Sequence, residues 1–232
     1  VPRFPKGYTV NHLIAREFRE MYGVDYSVIR NVPFSSGKSA NASPERFILY
    51  QGAVNEGRCF EQLIPAMRQV NARLIICGDG NFMDQAKELV RRHGLNDKVE
   101  FKGMIEPEIL ADITRRAYIG ITLFEKDSRS NYYSLANRFF DYIQAGVPQL
   151  CVDYPLYREI YEKHKIGLLL PEVTVESVAA ALNQLLEDQT LWAGIHAACL
   201  TAARELSWQQ EERILLDFYG NIFGKTSTYH HP

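Results

Sequence analysis

From Arg46 onward the chain repeats one pattern: a short, mostly apolar run, a break rich in glycine or polar residues, then a longer amphipathic stretch. The short runs are Phe47–Gln51, Arg73–Cys77, Val99–Phe101, Ile119–Phe124, Gln149–Val152 and Gly167–Leu170. Most lack polar alternation, so they read as strands buried on both faces rather than one-sided strands of an antiparallel sheet. The stretches between and after them predict helices over Phe60–Val70, Met83–His93, Pro107–Ala117, Asn137–Gln144, Tyr157–His164, Val175–Glu187, Leu191–Leu206 and Trp208–Phe223. Strands alternating with helices at this spacing define an α/β class. The expected fold is a Rossmann-like parallel sheet with helices on both faces, joined by right-handed crossovers. No internal repeat is evident.

The first 34 residues do not fit that rhythm. They read as a helix over Ala15–Tyr22, stopped by Gly23, and a short strand over Tyr26–Ile29, too little to close a core. Residues 35–45 turn to Ser, Gly, Ala, Asn and Lys, which is linker composition. The expected organisation is therefore a remnant of a preceding domain over 1–34, a linker over 35–45, an α/β domain over 46–224 and a disordered tail over 225–232.

Charge excludes some partners. Lys and Arg total 26 against 28 Asp and Glu in 232 residues, so there is no electrostatic case for nucleic acid or an anionic bilayer surface. No apolar run approaches the roughly 20 residues needed to cross a membrane. Cys59, Cys77, Cys151 and Cys199 are widely spaced, without a C-x-x-C pair, and read as free thiols in a reducing, cytoplasmic compartment. The histidines are scattered, and no metal site is expected.

The segment from Ser128 to Pro148 carries the densest chemistry. A polar loop leads into the Asn137–Gln144 helix, with Ser134 as the expected N-cap and Gly146 and Pro148 as stop signals. Its N-terminus would face the crevice at the carboxyl ends of the strands, where anions bind in open α/β sheets. Arg138 in the first turn opposes the helix dipole, which makes more sense with an anion nearby. Asp141, one turn on, has the chemistry to accept hydrogen bonds from a pair of hydroxyls. Other strand ends carry the loop Gly52–Arg58, the turn Gly78-Asp79-Gly80 and Gly103-Met104-Ile105. Each alone is also what an ordinary βα turn contains, and the Asn137–Gln144 helix alone reads equally as a packing helix. Trp192 and Trp208 read as packing residues, and Lys163–Lys165 as a solvated helix end. Jointly, four successive strand ends directed at one crevice, with Arg58, Arg138 and Asp141 among them, suit a diphosphate linked to a ribose.

These motifs in this order resemble the C-terminal half of a GT-B glycosyltransferase of the retaining family 4, the "group 1" glycosyltransferases. The resemblance rests on Tyr50–Arg58, Ile75–Gly80, Val99–Gly103, Asn137–Pro148, Ile166-Gly167 and Leu206–Trp208. It implies a domain that binds a nucleotide-diphosphate sugar as donor, without a metal or other cofactor, for transfer with retention to a saccharide or lipid-linked acceptor. It places Gly52 and the catalytic Arg58 and Arg138 on the phosphates, and Tyr133, Ser134 and Asn137 around the donor sugar and diphosphate. Asp141 would take the ribose hydroxyls, and Met104 and Ile105 would border the base, with Asn55 and Gly78 among the donor-contacting positions. The acceptor site would lie in an N-terminal domain, through which peripheral contact with the inner face of a membrane would be made. The fragment alone would then be inactive. The helix Trp208–Phe223 would pack back toward that domain, with the helix of the first segment as one cover for its apolar face. The resemblance also implies polysaccharide assembly as context.

One position departs from the family. Its motif has two glutamates eight positions apart, and here Tyr133 and Asp141 occupy them. A tyrosine does not replace a carboxylate on sugar hydroxyls, so either the donor differs or Asn131 or Asp127 takes the contact. Two other readings remain at this stage: a non-catalytic nucleotide-binding or scaffold module of the same fold, and a nucleotide-sugar epimerase. The latter lacks a histidine at a strand end. A dinucleotide dehydrogenase is disfavoured because the G-x-G-x-x-G fingerprint is absent.

Overall fold

The computed structural model describes residues 3–35, 44–126 and 129–224. The chain divides into two compact units, one formed by its two ends up to residue 36 and from residue 205, the other by residues 37–204.

In the smaller unit, strand β1 (Tyr8–Thr9) pairs in parallel with β2 (Ser27–Val28), and helix α1 (His12–Tyr22) connects them. Asn11 caps α1 by accepting from the Ile14 amide at 2.9 Å, so the helix starts earlier than its periodicity alone predicts. The last helix, α10 (Trp208–Phe223), belongs here too. Its Glu211, 1 % exposed, accepts from the Arg30 amide at 2.8 Å and from Arg30 Nε at 2.7 Å. The Trp208 amide donates to the Pro33 carbonyl at 2.9 Å, and Tyr8 sets its ring edge-on to Phe218. This grouping differs from the sequence-based boundary, which carried the larger domain to residue 224. The first segment is, however, one expected cover for the apolar face of this helix, and Tyr8 lies against Phe218. The expected linker and tail fall almost wholly outside the described residues, as does Asp127.

The larger unit contains β3 (Phe47–Gln51), β4 (Arg73–Cys77), β5 (Val99–Gly103), β6 (Ile119–Thr122), β7 (Gln149–Val152) and β8 (Gly167–Leu170). All pair in parallel, in the order β5-β4-β3-β6-β7-β8. The chain winds outward from β3 in one direction and then from β6 in the other. Between β3 and β6 lies the topological switch point, where successive loops diverge and leave a crevice. The helices are α2 (Phe60–Ala66, continued by a 3-10 turn), α3 (Met83–Arg92), α4 (Pro107–Arg116), α5 (Arg129–Tyr132), α6 (Asn137–Gln144), α7 (Pro155–His164), α8 (Val175–Glu187) and α9 (Gln189–Glu205). All four cysteines are buried free thiols, and burial pushes Cys59 up to about 12 and Cys77 to about 11.

The period of two along β3 decides what faces what. Phe47 and Leu49 join Ile75, Cys77, Ile113 of α4 and Tyr142 of α6 in one buried cluster. Gln51, next in that alternation, consequently faces α4 and α6. Tyr50 faces the other way and packs its ring 4.7 Å from that of Phe60 in α2. Helix α6 is held down by Phe139, Phe140, Tyr142 and Ile143, all buried, each contributing on the order of 2 kcal/mol. The Tyr142 hydroxyl donates to the Leu49 carbonyl at 2.9 Å, which fixes α6 against β3.

Candidate functional site

The loop after β3 and the turn after β4 are built on each other. Gly52 donates its amide to the Cys77 carbonyl at 2.9 Å, and Val54 donates to Asp79 at 3.0 Å. Asn55 Oδ1 accepts from the Asn81 amide and Asn81 Oδ1 from the Glu56 amide, both at 3.1 Å. Gly78, at φ 139°, lies so close that a Cβ there would run into the Gly52 carbonyl oxygen. The Gly78 amide in turn donates to the Gly103 carbonyl at 2.7 Å. Three strand ends thus form one continuous rim, in which Asn55 and Gly78 spend these groups on the scaffold.

Arg138 lies beneath that rim, 8 % exposed. Its guanidinium sits 4.7 Å from the centre of the Tyr50 ring and 4.6 Å from that of Phe124. Nη1 reaches the Tyr50 hydroxyl and the Gln51 carbonyl at 3.5 Å, and approaches the open side of Gly52. Nε and Nη2 are buried without a hydrogen-bond partner among the described residues. A buried cation with two unused donors is an unfavourable state, and a bidentate anion relieves it directly. Arg58 packs 4.8 Å from the same Phe124 ring and donates Nη1 to Asn131 Oδ1 at 3.0 Å. Two guanidiniums therefore share one aromatic ring at the end of β6. Burial raises the Tyr50 phenol, with both arginines opposing that shift. Its hydroxyl donates to the Ala53 carbonyl at 2.6 Å, which leaves the oxygen to face Arg138.

Asp141 lies one turn along α6. Its Oδ2 accepts from Gln51 Nε2 at 2.9 Å, and Gln51 Oε1 accepts from the Thr114 hydroxyl of α4 at 2.7 Å. Burial raises the Asp141 carboxyl to about 6, with the Gln51 hydrogen bond pulling the other way.

The segment entering α6 corrects one expectation. Ser134 does not cap the helix: the N-cap is Ala136, in extended backbone and without a side-chain bond. Residues Arg129–Tyr132 form the short helix α5, and the Ser134 hydroxyl closes its end by donating to the Asn131 carbonyl at 3.0 Å. The Ala136 amide donates instead to the Tyr157 hydroxyl at 3.0 Å. Tyr133 is half-buried with its ring 5.4 Å from that of Tyr132, and Asn137 is exposed at the start of α6. At the far end of the rim Met104 is 79 % exposed, whereas Ile105 packs against the core. The structure therefore links Gly52, Gly78, Arg58, Arg138 and Asp141 by direct or shared contacts, with Met104 at the rim beyond Gly103. It turns Ile105 inward and uses Ser134 in a turn. Phe124, Gln51 and Thr114 were not singled out from the sequence; of these, only Gln51 left a signal, a polar residue closing an apolar strand.

The larger unit is thus a doubly wound parallel sheet with a buried arginine at its switch point. The profile of the group 1 glycosyl transferases matches residues 31–206. The chain belongs to that family. It is 24% identical over 148 residues to an uncharacterized glycosyltransferase of Methanocaldococcus jannaschii, covering 62% of this chain and 36% of the relative. It is 33% identical over 120 residues to an exopolysaccharide phosphotransferase of Streptomyces coelicolor, covering 51% of this chain and 12% of that protein. The chain thus spans about a third or less of the length of these relatives. Among solved structures, sucrose-phosphate synthase from Thermosynechococcus elongatus aligns with TM-score 0.76 at 18% identity, over 94% of this chain and 58% of that one. Anabaena HepE, in complex with UDP and glucose, aligns with TM-score 0.73 at 16% identity, over 90% of this chain and 62% of that one. These likenesses identify the Rossmann-like fold of GT-B glycosyltransferases.

Proposed function

We propose that residues 46–204 form the donor-binding domain of a retaining glycosyltransferase, taking a nucleotide-diphosphate sugar and passing the sugar to a saccharide or lipid-linked acceptor. The observation that carries this reading is Arg138, with Nε and Nη2 buried and unpartnered among the described residues at the switch point. As the bond between sugar and diphosphate breaks, negative charge grows on the leaving phosphates. Arg138 and Arg58, already seated on Phe124, meet that charge without reorganisation. Asp141 accepts from the ribose hydroxyls, Met104 borders the base, and Tyr133, Ser134 and Asn137 stand toward the sugar. No metal is needed for this charge stabilisation. The acceptor and its site belong to an N-terminal domain of the GT-B fold, so residues 46–204 do not turn over by themselves. A cytoplasmic place, at the inner membrane face for a lipid-linked acceptor, and a role in polysaccharide assembly fit that chemistry.

A second reading, a nucleotide-binding module without transfer activity, is favoured by Tyr133 at a position where the family carries a glutamate. Both readings require nucleotide binding. A thermal-shift screen against UDP, GDP, ADP and dTDP tests them, starting from UDP because HepE holds it. Stabilisation by one diphosphate in the wild type and not in Arg138→Ala supports the reading, and no stabilisation by any of them defeats it.

A further inference from the structure

The pair that approaches Asp141 has no part in the account above. Gln51 is 4 % exposed and Thr114 3 %, so neither reaches solvent to any useful extent. The Thr114 hydroxyl has one proton and two acceptors at 2.7 Å, the Leu110 carbonyl of its own helix and Gln51 Oε1. When Asp141 is ionised, it needs the amide hydrogens of Gln51. Oε1 then turns to Thr114, and the hydroxyl proton goes to Oε1. When Asp141 is protonated, the opposite arrangement is equally satisfied. The acid donates to Oε1, the amide hydrogens turn to Thr114, and the hydroxyl falls back on Leu110. The observed geometry has Nε2 toward Asp141, which is the arrangement of the ionised acid.

We propose, resting on the nucleotide-donor reading, that Gln51, oriented by Thr114, is the positioning residue that holds Asp141 as an ionised, fixed acceptor for the two vicinal hydroxyls of a ribose. The bond from Gln51 engages Oδ2 and leaves Oδ1 without a protein donor among the described residues. From the packed elements Gln51 of β3 bonds Asp141 and Thr114 of α4 bonds Gln51, both uncharged, and Arg138 is the cation of Asp141's own helix. Among the described residues, Gln51 is the side chain whose hydrogen bond favours the charged carboxylate against its burial. Removing the amide donor therefore favours the protonated acid, a poorer acceptor for two hydroxyls at once.

Two measurements on the same protein test this. Carbon-13 NMR follows the titration of the Asp141 carboxyl, and calorimetry compares UDP, GDP and ADP with their 2′-deoxy counterparts. In Gln51→Leu the Asp141 titration rises by about one pH unit and the preference for ribose over deoxyribose falls about tenfold. Thr114→Val moves both in the same direction, whereas Thr114→Ser, which keeps the hydroxyl, leaves both near wild type; this pair decides the matter if Gln51→Leu does not fold. An unchanged Asp141 titration and an unchanged ribose preference in Gln51→Leu or in Thr114→Val overturn the proposal while leaving nucleotide binding intact. A wild-type protein that binds none of the diphosphates overturns the nucleotide reading, and the ribose role with it.

Discussion

The guanidinium carbon of Arg138 lies over the Tyr50 ring, 4.7 Å from its centre, while Nη1 stands 3.5 Å from the phenolic oxygen. The side chain is buried between two rings, yet two of its nitrogens have no partner among the described residues. On the proposed function such a charge is held for a ligand rather than for stability. We expect Arg138→Met, which keeps the length and removes the charge, to melt at the same temperature as wild type or a few degrees higher in the absence of nucleotide. Thermal denaturation monitored by circular dichroism measures this directly, and a large loss of stability would show that the guanidinium is structural.

Asp141 carries a stability cost that depends on pH. Its carboxyl is raised in the fold from 3.8 to about 6, so the folded state holds the proton more tightly than the unfolded chain. Its contribution is favourable below about pH 4 and is lost as pH rises toward 6. Asp141→Asn removes this dependence and keeps an acceptor for Gln51. The variant should therefore match wild type near pH 4 and exceed it at pH 7.5 by on the order of 2 kcal/mol. Urea denaturation at both pH values checks the sign.

Gly78 is where the β3 and β4 loops meet, and its φ of 139° is open to glycine alone. A methyl group there meets the Gly52 carbonyl, which belongs to a rigid turn and cannot yield cheaply. Gly78→Ala should destabilise the larger unit by about 3 kcal/mol or more and displace the Gly52–Arg58 loop. Chemical denaturation reads the first effect, and amide shifts of residues 52–58 read the second.

In the smaller unit the buried Glu211 carboxylate is satisfied by the backbone and guanidinium of Arg30. Glu211→Ala strands Arg30 and removes the tie between the first segment and α10, which should destabilise that unit by about 3–5 kcal/mol. Hydrogen exchange across residues 24–33 should accelerate accordingly, with the strands of the larger unit unaffected.

Much of the fold was legible because it rests on local pattern. The bounds of β4, β7, β8, α6, α8 and α10 coincide with runs that announce themselves by apolar content and spacing. What was not legible depends on distant partners. Ser134 looks like a cap, but α5 takes its hydroxyl, and Ala136 finds Tyr157 instead. Helix α10 was expected to turn toward the first segment, but that Glu211 meets Arg30 there did not show in the sequence. Gln51 was visible only as a polar strand end; its partners Thr114 and Asp141 lie on two separate helices. Arginine at the start of α6 pointed to an anion, but that its donors are unused is a property of packing alone.

Calorimetric titration of the chain with UDP, GDP, ADP and dTDP, beside the same titrations of Arg138→Ala, is the most direct test of the central claim. Saturable binding of one diphosphate, weakened by roughly 100-fold in the variant, is the expected result. Binding that survives the substitution unchanged, or no binding of any of the four to the wild type, would contradict it.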